Sequence, residues 1–138
     1  MLKDLVYMEE SFKIKQACIE VRKRLGNGFL EKVYEHALII ELELLNFNVE
    51  SQKTIKVKYR DQIIGEYKAD LIIDNKIIIE LKCAERISNL HKAQLLNYLK
   101  ATGYKLGILI NFPNNRKGFD YERVHNLIEQ NSYLNKKS

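Results

Sequence analysis

The sequence predicts a mixed α/β sandwich of order ααβββαβ. Three observations carry that reading. Two helix-periodic segments open the chain, three strand-like runs crowd residues 53–83, and a capped helix then leads into one more apolar strand. Residues 9–25 place Ile14, Ala17, Cys18, Val21 and Leu25 on one helical face, with Lys13, Glu20, Lys23 and Arg24 elsewhere. Gly26-Asn27-Gly28 breaks this helix. A second helix is expected from about Phe29 to Leu45, with Leu30, Val33, Tyr34, Ala37, Leu38 and Leu42 as its apolar side, closed by Asn46-Phe47-Asn48.

The first strand, 53–59, alternates cleanly: Ile55, Val57 and Tyr59 on one face, Lys56 and Lys58 on the other. Arg60-Asp61-Gln62 is the expected turn. The second strand covers about 63–73, with a bend expected at Gly65. The third, 77–83, is almost continuously apolar, as an interior strand covered on both faces should be. Ser88 is a good N-cap for a helix over 89–102, closed by Gly103. Leu106–Ile110 then forms a strand, parallel to its predecessor through a right-handed crossover. Phe119–Val124 is a candidate edge strand, and the tail from His125 a short helix ending in Lys136-Lys137-Ser138.

With 138 residues, 30% charged and 46% apolar, the chain reads as one globular domain over 1–138, its core at about 9–124 and a tail at 125–138. No apolar run approaches the roughly 20 residues of a membrane span, so no membrane role is expected. The N-terminus lacks a signal-peptide pattern. Cys18 and Cys83 lie in apolar contexts on separate elements. They read as reduced core residues of a cytoplasmic protein rather than a disulfide or zinc framework. The net charge of +5 favours polyanionic partners.

Chemistry concentrates in two places. Asp70 interrupts the apolar run Lys68-Ala69-Asp70-Leu71-Ile72-Ile73, and Glu80-Leu81-Lys82 ends the run Ile77-Ile78-Ile79. Burying such charges costs several kcal/mol each unless they are paired or bind a metal. Glu80 and Lys82, two apart, share a strand face. Asp70 joins them only if the hairpin turn is odd in length. A two-residue turn at Asp74-Asn75 pairs Asp70 with Ile79, whereas a three-residue turn, Asp74-Asn75-Lys76, pairs it with Glu80, with Asn75 or Lys76 in the left-handed position. Two facing carboxylates repel, so a divalent cation would stabilise the pair. The second place is one stripe of the helix over 89–102, where His91, Gln94 and Tyr98 fall at i, i+3 and i+7.

Asp70…Glu80-Leu81-Lys82 resembles the D…(D/E)xK signature of the PD-(D/E)xK nuclease superfamily, with Ala69 in place of the usual proline. Gly28-Phe29-Leu30-Glu31-Lys32-Val33-Tyr34 resembles the GxxExxY motif of a bacterial family within it. Gln94…Tyr98 is similar to the QxxxY helix of RecB-like nucleases, and Leu106–Phe112 continues the likeness. The resemblance covers about residues 9–124. It implies a restriction-endonuclease-like α/β core, a mixed sheet flanked by helices, with a metal site at the central sheet. It does not imply a settled biological role.

On that resemblance Asp70 and Glu80 bind Mg²⁺ or Mn²⁺, with the Leu81 carbonyl as a third ligand and Glu31 completing the shell or holding a ligand water. Lys82 contacts the scissile phosphate or orients the attacking water, and Gln94 supports it. The catalytic set is then Asp70, Glu80, Lys82, Gln94 and Glu31. Tyr34, with a hydrogen-bonded hydroxyl, His91 lining the cleft, and Tyr98 support it. Lys53, Lys56, Lys58, Lys68 and Lys92 are candidates for tracking a nucleic-acid backbone, and Lys68 stands where an arginine is more usual in the family. The expected activity is Mg²⁺-dependent hydrolysis of phosphodiester bonds, most readily of DNA. A homodimer would suit cutting of two strands, although no seam is visible. The alternative is a non-catalytic nuclease-fold module that binds nucleic acid or a protein partner. Each residue also has a plainer role: an ion pair of one acid with Lys82, and for Glu31 the preference of acids for a helix N-terminus. A basic run is most often a solvated edge.

Overall fold

A computed structural model describes residues 6–126. Helices α1 (Met8–Leu25) and α2 (Glu31–Leu44) are followed by β1 (Val49–Tyr59), β2 (Gln62–Ile73), β3 (Ile77–Lys82), α3 (Asn89–Thr102), β4 (Leu106–Asn111) and β5 (Asp120–His125). The five strands form one sheet in the order β1-β2-β3-β4-β5. Only β3 and β4 run parallel; the other neighbours are antiparallel. The expected ααβββαβ order therefore holds, and the candidate edge strand is present as β5. The helix expected in the tail lies outside the described residues.

The local chemistry explains the elements. Helix α1 carries Glu9 and Glu10 in its first turn and Arg22, Lys23 and Arg24 in its last, complementing the helix dipole. Helix α3 starts on a reciprocal cap: Ser88 Oγ accepts from His91 N (3.1 Å), and His91 Nδ1 accepts from Ser88 N (3.2 Å). It ends on Gly103 at φ 82°, a left-handed position that glycine takes at little cost. Helix α2 begins two residues later than expected. Leu30 (80% exposed) and Val33 (38%) consequently face solvent rather than the core. Arg60 (φ 48°) and Asp61 (φ 64°) make a two-residue turn, so Gln62 belongs to β2, paired with Tyr59. The bend expected at Gly65 is a register shift between Val57 and Lys58, with Ile64 as the extra residue.

Helices α1 and α2 cover one face of the sheet through Ile14, Cys18, Val21, Tyr34, Leu38 and Leu42, packed against Leu71, Ile73, Ile77, Ile79, Leu81 and Ile108. Helix α3 covers the other face through Leu95 and Leu99, against Tyr67, Ala69, Ile72, Ile78 and Leu109. Burial on both faces is why β3 shows no alternation. Cys18 is fully buried and Cys83 half-buried; both are free, and burial pushes both thiols up, away from the reactive thiolate. Among the described residues no helix is long and apolar enough to cross a membrane.

Gly107 on β4 lets α3 sit close. A Cβ there would lie 2.8–2.9 Å from Leu95 Cδ2 and Cγ, inside contact distance. Gly107→Ala is therefore expected to destabilise the fold by about 1–3 kcal/mol, the usual cost of overpacking. Urea unfolding measures it, and an unchanged midpoint would show that α3 simply shifts.

Candidate active site

The site lies where β2 leaves β3. The two strands pair only as Leu71↔Ile79, Ile72↔Ile78 and Ile73↔Ile77. Carried one step further, the three-residue turn would set Asp70 across from Glu80, but the ladder ends before that pair. The left-handed residues of that turn are Asp74 (φ 50°) and Asn75 (φ 55°), not Lys76, whose N–H donates to Ile73 O at 2.9 Å. Asp74 tolerates the position because its Oδ1 accepts from Asn48 N (2.8 Å) while its own N–H donates to Asn48 O (2.9 Å). Beyond Leu71 the ladder stops. Asp70 Oδ2 instead accepts from Leu81 N at 2.8 Å, closing the fork between the strands with a side chain.

The same point is a switch of faces. Ala69 packs on the α3 side and Leu71 on the α1–α2 side, although they are two residues apart. On β1, Val49 packs on the α1–α2 side but Ile55 and Val57 on the α3 side. The residue between the register pairs Ser51↔Leu71 and Lys53↔Ala69 is Gln52, at φ 54°. Gln52 and Asp70 thus interrupt neighbouring strands at the same height, and both are freed from the ladder.

Gln52 uses that freedom. Its Nε2 donates to Glu35 Oε1 (2.8 Å) and reaches Asp70 Oδ1 (3.4 Å). Glu35, on α2, is only 3% exposed, and its other oxygen accepts from Lys32 Nζ at 2.9 Å. Neither Glu35 nor Gln52 was legible as a site residue. The available signal was the four-residue spacing of Glu31 and Glu35, which puts both near one helix face.

Electrostatically Glu31 and Glu35 act on Glu80, Glu35 on Asp70, and Asp70 on Glu31. Desolvation by burial pushes the Glu80 carboxyl up to about 8; Lys82 opposes this and Glu31 and Glu35 add to it. Glu80 Oε1 is buried with no hydrogen-bond partner. Asp70 is raised, first by burial and then by the charge of Glu35, against the Leu81 N–H, Gln52 and Lys82. Glu31 is raised by partial desolvation and then by Asp70, although much of it reaches solvent. Such a set holds unfavourable negative charge that a cation would relieve. The buried, partnerless Glu80 oxygen, on the residue before the Leu81 N–H that binds Asp70, is a donor that a divalent ion would satisfy. Among the described residues no group of three or more acid, histidine or cysteine side chains is arranged to hold a metal. A pair of carboxylates is nevertheless what Mg²⁺ commonly takes from protein, with water and substrate phosphate completing its shell.

The remaining sequence-predicted residues divide. Lys82 is half-buried on the face of β3 that Glu80 shares, its charge acting on Asp70, Glu80 and Glu31. Tyr34 is fully buried and stacked on Phe112 (centroids 4.8 Å); its hydroxyl donates to Gly26 O (2.7 Å) and accepts from Phe29 N (3.4 Å) and Arg22 Nη1 (3.3 Å). Gly28, at φ 103°, donates its N–H to Asn114 Oδ1 (2.8 Å). The Gly28–Tyr34 motif therefore braces a turn at both ends and holds Glu31 between them. His91 is committed to the α3 cap. Gln94 is exposed, and Tyr98 stacks on Tyr67 at 3.6 Å between centroids. The lysines do not gather: Lys53 pairs with Glu50 (3.4 Å) and Lys92 with Glu122 (2.9 Å), leaving Lys56, Lys58 and Lys68 exposed together on the β1–β2 ribbon.

Comparison with known proteins agrees with this fold. No curated protein matches the sequence. Among solved structures, the fold is similar to that of the protein SSO0001, at 19% identity and a TM-score of 0.53, over 93% of this chain and 63% of that one. It is also similar to an alkaline exonuclease from Laribacter hongkongensis, at 12% identity and a TM-score of 0.54, over 76% of this chain and 60% of that one. The chain thus spans about three fifths of each of these proteins, and the likeness is one of fold. Residues 8–124 match the sequence pattern of the PD-(D/E)XK nuclease superfamily. With that match running from α1 to β5, the chain belongs to the PD-(D/E)XK nuclease superfamily.

Proposed function

We propose that this chain is a metal-dependent nuclease that hydrolyses DNA phosphodiester bonds in the cytoplasm, within the GxxExxY branch of its superfamily. One observation carries the reading: at the fork of β2 and β3 Asp70 accepts from the N–H of Leu81, the residue between Lys82 and Glu80, whose buried oxygen has no partner. Asp70 and Glu80 would hold Mg²⁺ or Mn²⁺, with the Leu81 carbonyl and Glu31 as further donors. When bound, the ion supplies Lewis-acid stabilisation of phosphoryl oxygens and a more acidic water. Lys82 presents its ammonium to the scissile phosphate and offsets charge that builds in the transition state. Gln94, exposed on the first half of α3, approaches the backbone of the substrate as the RecB-like QxxxY helix would, while Tyr98 holds that helix to Tyr67. A second copy would serve the second strand of a duplex.

The reading is tested by incubating labelled single- and double-stranded DNA and RNA with Mg²⁺ or Mn²⁺, beside EDTA and Lys82→Ala. Metal-dependent cutting that the variant loses is the expected result. DNA binding without cutting in any metal would support a non-catalytic nuclease-fold module instead.

Gln52 positions Asp70 through its contact with Glu35, so Gln52→Ala is expected to weaken Mn²⁺ binding about 10–100-fold, as loss of a residue supporting a metal ligand generally does. Calorimetry on the variant checks this, and an unchanged affinity would remove Gln52 from the site.

A further inference from the structure

Beyond the fork, β1 and β2 continue as a two-stranded arm that β3 no longer accompanies, running from Lys53↔Ala69 to Tyr59↔Gln62. One face of the arm packs on α3 through Ile55, Val57 and Tyr67. The opposite face carries Lys56, Lys58 and Lys68, all exposed and without an ion pair among the described residues, with Glu66 across from Lys56. Lys68 stands two residues from Asp70, so this basic face begins at the candidate reaction centre. The arm ends in Tyr59, Ile63 and Ile64, which are 62%, 53% and 65% exposed, and Arg60 lies over the Tyr59 ring. Ile64 is the extra residue of the register shift, a device that re-aims a side chain. Ile63 shares the face of its register partner Lys58 and Tyr59 the face of Val57, so the tip is apolar on both of its sides.

We propose that the arm is a nucleic-acid clamp: its lysine face follows the phosphate backbone, and its Tyr59–Ile63–Ile64 tip wedges against bases of a duplex. The occupant follows from charge, since a polyanion complements the lysines and a second copy of a +5 chain meets them with the same sign. Apolar side chains inserted at base steps are an established means of gripping and bending duplexes. The arm also sets a distance. Ile63 is six ladder steps from Asp70, since the extra Ile64 adds no length, or roughly 20 Å along a strand. Duplex DNA rises about 3.4 Å per base pair, so the tip meets it about six base pairs from the scissile phosphate. This inference deepens the nuclease reading and rests on it for that register; the binding itself is separable.

The test measures binding of the full chain to labelled 8- and 24-base-pair duplexes by anisotropy in EDTA across a salt series, and cleavage of both in Mn²⁺. Two variants are compared with the wild type: Tyr59→Ser with Ile63→Ser and Ile64→Ser at the tip, and Lys56→Gln with Lys58→Gln on the face. The tip variant is expected to bind the 24-mer about tenfold more weakly with its salt slope unchanged. The face variant should lower the slope by about two, near 0.9 for each phosphate that a lysine no longer neutralises. Where the wild type cuts, the tip variant should lose its preference for the longer duplex. Binding and cleavage unchanged in both variants would overturn the clamp and leave the nuclease reading standing. Variant-sensitive binding without cleavage by the wild type would uphold the clamp while removing the nuclease reading. A wild-type dimer that the tip variant dissolves, with DNA binding unaltered, would make the tip a seam between copies and overturn the proposal.

Discussion

Glu80→Gln is expected to reduce metal-dependent cleavage on the order of 10³-fold, the scale seen when one charge-stabilising group is removed from a reaction centre. The same substitution should raise the stability of the metal-free protein at neutral pH. Burial pushes the Glu80 carboxyl up to about 8 in the folded chain, whereas the unfolded group titrates near 4.5. Between those values the folded state binds the extra proton, so stability falls as pH rises. The contribution is complete below about 4.5 and lost by about 8. In chelator, the thermal midpoint of the wild type should therefore decline from pH 5 to pH 8, and the variant should flatten part of that slope. Asp70 and Glu31 are shifted in the same direction and add to the decline. Added Mg²⁺ should oppose the decline in the wild type and have little effect on the variant. Parallel pH profiles for the two proteins would mean that Glu80 is not held in the environment described.

Arg22→Ala carries the largest expected loss of stability. The guanidinium is 7% exposed and sits at the end of α1. It donates to Gly26 O (3.2 Å), Tyr34 Oη (3.3 Å), Arg116 O (3.0 Å) and Pro113 O. It thereby ties the α1–α2 turn to the loop after β4. Truncation leaves the buried Pro113 O without this donor and removes the packed guanidinium, while Gly26 O keeps Tyr34 Oη, Tyr34 Oη keeps Phe29 N and Arg116 O keeps Asn27 Nδ2, for a net loss of about 2–4 kcal/mol. Arg22→Lys keeps the charge but not the fork of donors, and should cost less than alanine and more than nothing. Urea unfolding of the three proteins at pH 7 provides the comparison. A loss under about 1 kcal/mol in the alanine variant would show that the loop is held elsewhere, by Asn27 or Gly28.

What the sequence revealed and what it hid follow one physical division. Signals written in local chemistry were readable: the Ser88 cap, the Gly103 stop, the apolar β3 run, and the three-residue length of the 74–76 turn. Tyr34 was readable as a packed ring with a satisfied hydroxyl. Features that depend on how distant elements meet were not. Glu35 looks like one more acid on an amphipathic helix until Gln52 arrives from another strand. Gln52 carries no glycine or asparagine mark of the left-handed conformation it adopts. The lysines around the arm read as one cluster because sequence proximity hides the partners Glu50 and Glu122. His91 escaped assignment as a capping residue because glutamate or glutamine usually fills that reciprocal role.

The three-residue turn between β2 and β3 also bears on how such a chain can vary. Ile77, Ile78 and Ile79 are each fully buried, and both faces of β3 are apolar, so the packing scarcely distinguishes one register from the next. Losing a single residue from 74–76 would therefore leave a sheet that still buries isoleucine on both sides, yet it would turn Glu80 away from Asp70. If these acids hold a metal, as proposed above, the interval between them is set by chemistry more strictly than by folding. Lineages of this domain should tolerate hydrophobic exchange throughout β3 while keeping the length of that loop.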